Sequence, residues 1–182
     1  REARRCLFCG PCAQCLEVED LCESDDALVD EDRCIACANC EKVCEYGAIK
    51  VEKSVAKVDC ILCKGCGTCA VECPAMAISM TSLTEEKILT SIKEASKTWR
   101  SNEPHILAFI CNWCNNGNID QLKKHQNINV IPVKCTGRVD PLHILHAFGT
   151  GADGVLIIGC SNSDCHYVFG ASVAEKRAEE IR

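Results

Sequence analysis

The stretch "CKGCGTCAVECP", residues 63–74, places four cysteines and a proline within twelve residues. A thiolate-bound iron–sulfur cubane needs donors at the corners of a roughly tetrahedral cage, and C-x2-C-x2-C lets one tight loop supply three of them. The fourth corner must come from elsewhere. In the run C-x2-C-x2-C-x3-C-P the last cysteine reaches a second cluster, and the proline turns the chain after the short helix that carries it.

Nearly the same pattern occurs upstream. "CIACANCEKVCEYGAI" begins at Cys34 and "CKGCGTCAVECPAMAI" at Cys63. The offset between them recurs unchanged from Cys44 to Cys73 and from Ile49 to Ile78. Two cysteine runs, each followed by a short apolar strand, predict a pseudo-twofold module. The first copy has Glu45 where the second has Pro74, a departure that removes no thiol.

Composition sets the class. The chain has 19 cysteines in 182 residues but only 4% aromatic side chains, so bonds to thiols must supply cohesion that large rings do not. The odd cysteine count and the dominance of C-x2-C steps favour metal centres over disulfides between distant loops. A net charge of −6 argues against binding nucleic acid. The residues from Arg1 to Cys6 carry no apolar signal core, and no apolar run is long enough to span a bilayer. The expectation is a reducing, cytoplasmic setting. The first residue is Arg1 rather than Met, which suggests a processed chain or the tail of a longer polypeptide.

The cysteines fall into three territories: fourteen in residues 1–73, none in 74–110, and then Cys111, Cys114, Cys135, Cys160 and Cys165. The empty stretch holds a capping-box pattern, Ser82 to Glu85, followed by an apolar stripe at Ile88, Ile92, Ala95 and Trp99. It predicts a linker helix within residues 81–104, ended by Ser101 to Pro104. Beyond it, "HILAFIC", "INVIPVKC" and "GVLIIGC" read as buried parallel strands. They alternate with helices over "NIDQLKKH" and "DPLHILHAF", and a last helix covers "VAEKRAEEI". The expected fold is α+β: a cysteine-rich segment (1–29), a ferredoxin-like module (30–80), the linker helix, and a small α/β domain with a parallel sheet (105–182).

Residues 30–80 resemble the bacterial two-cluster ferredoxins. The resemblance implies one 4Fe–4S cluster on Cys34, Cys37, Cys40 and Cys73, and a second on Cys63, Cys66, Cys69 and Cys44. Zinc, which also takes four thiolates, is the rival occupant. Cys60 is expected to be a free, buried thiol. In "RRCLFCGPCAQCLEVEDLC" five cysteines remain (14 − 8 − 1), enough for a third 4Fe–4S cluster on Cys9, Cys12, Cys15 and Cys22, with Cys6 as the alternative. "EARRCLFCGPC" also looks like the segment that follows the flavin domain in some multidomain iron–sulfur flavoproteins, which would place FAD on a partner or on a missing N-terminal domain.

Cys111, Cys135 and Cys160 each end a predicted strand, so the carboxyl edge of a parallel sheet gathers three thiols, with Cys114 and Cys165 in loops beside them. Spacing alone leaves a 2Fe–2S cluster, zinc and a redox-active dithiol open. "FICNWCNNG", "KCTGRVDPLHILHAF", "GADGVLIIGC" and "CHYVFG" resemble the delta subunit of methyl-viologen-reducing hydrogenase, a domain also found fused to heterodisulfide reductase A-type flavoproteins. That resemblance implies one 2Fe–2S cluster on four of the five cysteines. It also implies electron delivery between a hydrogenase- or formate-dehydrogenase-type subunit and heterodisulfide-reductase-like flavoprotein subunits.

His166 follows Cys165 and is read as a hydrogen-bonding neighbour or an iron ligand; His143 and His146 are read as structural. Arg138 is read either as tuning a cluster or as a solvated helix-cap residue. No general acid–base pair, phosphate loop or dinucleotide turn is present, so the chain is expected to relay electrons rather than break bonds itself. The alternatives are a zinc-binding interaction module and a thiol–disulfide oxidoreductase using Cys111 and Cys114.

Overall fold

The computed structural model describes residues 25–99, 103–113, 122 and 124–181. The chain divides between Thr84 and Glu85 into two compact units.

The first unit runs β1 (Ala27–Val29), α1 (Asn39–Val43), β2 (Ile49–Glu52), β3 (Val55–Val58), α2 (Thr68–Val71) and β4 (Ile78–Met80). β1 pairs antiparallel with β4, Ala27 opposite Met80, and β2 pairs antiparallel with β3, Ile49 opposite Val58. The shift that takes Cys34 to Cys63 also carries β1 onto β3 and β2 onto β4, so each two-stranded sheet takes one strand from each copy. The pseudo-twofold extends to single hydrogen bonds. Asp30 N donates to Ala77 O at 2.8 Å, and Asp59 N donates to Ala48 O at 2.7 Å, the same bond with the copies exchanged. The buried cluster of Ala27, Cys40, Ile49, Ala56, Ile78 and Met80 includes Ala27 with its counterpart Ala56, and Ile49 with its counterpart Ile78.

Wrapping each cysteine loop requires left-handed backbone at three matched positions: Ala36 and Gly65, Ala38 and Gly67, and Gly47 and Met76. Glycine takes these angles freely, whereas Ala36, Ala38 and Met76 each accept a cost of about 1 kcal/mol. Gly65 has a second reason to lack a side chain, because a Cβ there would stand 2.5 Å from the backbone oxygen of Asp25. Asp25 is itself buried, and its Oδ1 accepts the Ser82 amide at 2.7 Å where the chain leaves β4.

The second unit contains α3 (Glu85–Ser96), β5 (Ile106–Cys111), β6 (Ile128–Val133), a 3-10 turn (Thr136–Arg138), α4 (Pro141–Gly149), β7 (Gly154–Ile158), a second 3-10 turn (Asn162–Asp164) and α5 (Gly170–Ile181). The sheet is parallel with order β6–β5–β7. Leu107 to Ile110 on the central strand are fully buried, which explains the continuous apolar run of β5. Pro132 lies in β6, an outer strand, where a missing ladder donor is tolerated.

The helix expected over residues 81–104 is shorter, Glu85–Ser96, and belongs to the second unit. Its inner stripe of Ile88, Ile92 and Ala95 is buried as the periodicity requires. The capping box read between Ser82 and Glu85 does not form: Asp25 takes the Ser82 amide, and Glu85 turns to Arg138 and His143. A capping box does occur at α4, where Asp140 accepts the Leu142 amide at 2.7 Å and His143 Nδ1 accepts the Asp140 amide at 3.0 Å. Most of the helix expected over "NIDQLKKH" lies outside the described residues.

Gly65→Ala should lower the stability of the first unit by about 2–4 kcal/mol, the left-handed strain and the backbone clash together. Gly47→Ala, which meets nothing within 4 Å, should cost only the conformational part, about 1 kcal/mol. Anaerobic denaturant titration of both variants checks this, and equal losses would dismiss the Asp25 contact.

Candidate metal centres

Each cysteine loop of the first unit closes on an apolar pocket. Cys34, Cys37, Cys40 and Cys73 line one, together with Val51, Ala56, Ala77 and Ile78. Cys44, Cys63, Cys66 and Cys69 line the other, with Ala27, Ala48, Ile49 and Met80. In each set three cysteines come from one copy of the repeat and one from the other.

Backbone amides point at the sulfurs. Ala48 N donates to Cys44 Sγ at 3.4 Å, and its repeat counterpart Ala77 N donates to Cys73 Sγ at 3.3 Å. Ala56 N donates to Cys34 Sγ at 3.4 Å. Such bonds favour the thiolate, but burial opposes it. Burial pushes the thiols of Cys40, Cys63, Cys66 and Cys69 above their ordinary range; for Cys69 the charges of Cys66, Cys63, Cys44 and Cys40 then add to it. Four thiolates in one apolar pocket therefore need a bound cation, whose arrival displaces their protons. Among the described residues no three His, Cys, Asp or Glu side chains converge as they would around a single metal ion; the thiols are spread over the pocket walls.

Cys60, expected to be buried, is exposed. It sits in a turn where Asp59 Oδ1 accepts the Ile61 amide at 2.8 Å and Asp59 O accepts the amides of Leu62 and Cys63. The repeat register carried the missed signal: the matching position in the first copy is Glu31, exposed and charged. Cys6, Cys9, Cys12, Cys15, Cys22 and Cys114 lie outside the described residues, and with them the expected third cluster.

In the second unit the carboxyl ends of the strands collect the remaining thiols. Cys111 is the last residue of β5, and Cys135 and Cys160 stand two residues beyond β6 and β7. Cys111 Sγ donates to Lys134 O at 3.3 Å, which brings it beside Cys135. Cys135 Sγ accepts the Gly137 amide at 3.4 Å. It also fills the place where a side chain at position 170 would go, since a Cβ on Gly170 would lie 2.0 Å from it. Cys165 Sγ accepts the amide of Ala171 at 3.4 Å, in the first turn of α5. Two sulfurs thus meet the start of α5, where the helix dipole favours negative charge. Cys160 lines an open pocket that also includes Thr136 and Ala171, on the same edge. This donor set, with amides aimed at sulfur and glycine where sulfur packs, suits a thiolate-held cluster.

His166 stacks on Trp113, ring centroids 4.5 Å apart, and Trp113 Nε1 donates to the hydroxyl of buried Tyr167 at 3.1 Å. Burial pushes the His166 imidazole below its ordinary value. Arg138, for which the sequence left cluster tuning and a solvated cap open, is not solvated. It is 4% exposed and places Nη2 2.8 Å from Glu85 Oε2. His143 is fully buried, with Nε2 2.8 Å from Glu85 Oε1. Sequence reasoning gave Glu85 to the helix cap and missed this network, whose partners are more than fifty residues away.

Comparison with known proteins fits both units. Residues 106–182 match the family model described as methyl-viologen-reducing hydrogenase, delta subunit, and residues 27–50 match that of the 4Fe–4S binding domain. The chain is 41% identical over 161 residues to the A-type subunit of the ferredoxin/F(420)H(2)-dependent CoB–CoM heterodisulfide reductase of Methanosarcina acetivorans, covering 86% of this chain and 20% of that protein. It is 47% identical over 73 residues to an iron–sulfur subunit of an F420-non-reducing hydrogenase of Methanococcus voltae, covering 37% of this chain and 51% of that one. The corresponding hydrogenase iron–sulfur subunit from Archaeoglobus profundus is 38% identical over 87 residues, covering 45% and 61%. The chain spans about a fifth of the length of the heterodisulfide reductase subunits it matches. Among the described residues no helix is long and apolar enough to cross a membrane.

The hydrogen bond from His143 is the largest cause holding the Glu85 carboxyl down to about 2; partial burial opposes it and Arg138 adds to it. A depressed carboxyl stabilises the fold above its unfolded pKa and loses that contribution as pH falls through its folded value. Glu85→Gln should therefore destabilise the second unit at neutral pH by about 1 kcal/mol, a modest figure because Glu85 is half exposed to screening solvent. The gap between variant and wild type, read as a difference in denaturant midpoint, should be constant above pH 4.5 and close towards pH 2.

Proposed function

We propose that this chain, a 4Fe–4S module followed by a hydrogenase delta-subunit domain, is the electron-relay portion of a larger iron–sulfur oxidoreductase. Cys34, Cys37, Cys40 and Cys73 hold one 4Fe–4S cluster, and Cys63, Cys66, Cys69 and Cys44 hold a second. The observation that carries the reading is that these eight cysteines line two pockets in the interleaved three-plus-one sets that a two-cluster ferredoxin requires. Zinc fits less well. A single zinc ion needs its donors to converge on one point, and among the described residues no three such side chains do so.

A third 4Fe–4S cluster is assigned to Cys9, Cys12, Cys15 and Cys22, with Cys6 in reserve. A 2Fe–2S cluster is assigned to the carboxyl edge of the second unit, where Cys111 bonds the residue before Cys135, and Cys135 and Cys165 meet the adjacent residues Gly170 and Ala171. Cys160 and Cys114 are the candidates for its fourth ligand. These clusters supply one-electron carriers. The chain supplies insulation through apolar pocket walls, sulfur-directed amides that stabilise negative charge, and fixed charges that set potentials.

The relay joins a hydrogenase- or formate-dehydrogenase-type subunit to a heterodisulfide-reductase-like flavin centre, with FAD on a partner or on a part of the protein beyond this chain. The heterodisulfide reductase and hydrogenase subunits among its relatives support these partners. The dominance of C-x2-C steps, which suits metal centres better than disulfides, supports a reducing, cytoplasmic setting.

Anaerobic purification, iron and acid-labile sulfide counting, and low-temperature EPR test the reading. Cys66→Ala should remove one cubane signal and leave the C-terminal centre in place. Cys73→Ser should remove the cubane of Cys34, Cys37 and Cys40, although it belongs to the other motif. A Cys73→Ser spectrum that instead lost the Cys63 cubane would overturn the interleaved ligand sets. Zinc in place of iron and sulfide would overturn the relay.

A further inference from the structure

The turn after Cys135 is held by buried cations from two sides. Arg177, 7% exposed, donates from Nη1 to Gly137 O at 2.7 Å and to Val139 O at 3.4 Å. Arg138 reaches the other way, to Glu85 Oε2. Glu85 Oε1 is occupied by His143, whose Nδ1 accepts the Asp140 amide, so the imidazole proton sits on Nε2 and is donated to the carboxylate. The carboxylate is fixed at both oxygens.

The compensation is unequal. Arg138 is 5% exposed at its side chain and Glu85 51%, so the carboxylate shares its charge with water while the guanidinium does not. Arg138 Nε is buried with no hydrogen-bond partner among the described residues. A buried guanidinium paired through a single nitrogen to a half-hydrated carboxylate leaves positive potential in its surroundings. Cys135 is three residues away, and its sulfur accepts an amide from within the same turn.

We propose that Arg138 and Glu85 are positioning residues that set the reduction potential of the cluster held at Cys135, with Arg138 favouring the reduced form and Glu85 limiting that effect. The proposal rests on the reading above that a cluster occupies this edge. Reduction adds one negative charge to the cluster, so a fixed cation nearby lowers the energy of the reduced form and a fixed anion raises it. His143 keeps the anion in place. The two charges must therefore act with opposite sign.

Potentiometric titration of the cluster-loaded chain, followed by EPR of the C-terminal centre, tests this with Glu85→Gln, Arg138→Gln, the double variant and Arg138→Lys. Glu85→Gln should raise the midpoint and Arg138→Gln should lower it. The double variant should return towards wild type, and Arg138→Lys should stay nearer to wild type than Arg138→Gln does. A purely structural role predicts shifts of one sign or none, and either result overturns the proposal. Should Arg138→Gln lose the centre, Glu85→Gln at its half-exposed site decides alone: an unmoved or lowered midpoint overturns the proposal. Wild-type protein with cubane signals but no C-terminal centre would overturn the cluster assignment at that edge as well, a failure distinct from an unshifted midpoint.

Discussion

Four thiols line each apolar pocket of the first unit, and the fold around them is organised by the cost of placing negative charge there. Burial pushes the thiols of Cys40, Cys63, Cys66 and Cys69 towards the neutral form, and charge on neighbouring cysteines pushes further. The fold answers with amides aimed at sulfur and with loops forced into left-handed backbone at three places per copy. Neither device holds the charge without bound cations. The small buried cluster of Ala27, Ile49, Ala56, Ile78 and Met80 has no aromatic member, and cysteine completes it. Cofactor and core are in this sense one object.

The first unit was legible because its chemistry repeats. A constant offset between the copies, visible in the cysteines, extends to strands, hydrogen bonds and left-handed positions. Taken further, the same register would have matched Cys60 with Glu31 and so placed it on the surface. The three parallel strands were legible for a different reason: each is an apolar run. Only the central β5 is buried nearly throughout; β6 and β7, expected to be buried, are partly exposed, with Leu156 of β7 open to solvent.

What sequence did not disclose depends on side chains distant in the chain. Ser82 and Glu85 have the spacing of a capping box, but Asp25 and Arg138 compete for them and win, because a buried carboxylate and a buried guanidinium need partners more than a helix end does. At Asp140 no such competitor intervenes, and a histidine serves where the motif usually has glutamate or glutamine. The contacts that join Cys111, Cys135 and Cys165 run through Lys134 O, Gly170 and Ala171, which no spacing rule could anticipate.

Pro132 has a consequence for the rim of the sheet. A small parallel sheet has two outer rims, each a row of backbone groups that a stray chain can recruit into an aggregate. Proline in β6 interrupts that row with a residue that has no amide hydrogen, and β7 is only five residues long. The described sheet of the second unit thus offers a stray chain a rim that is interrupted at β6 and short at β7.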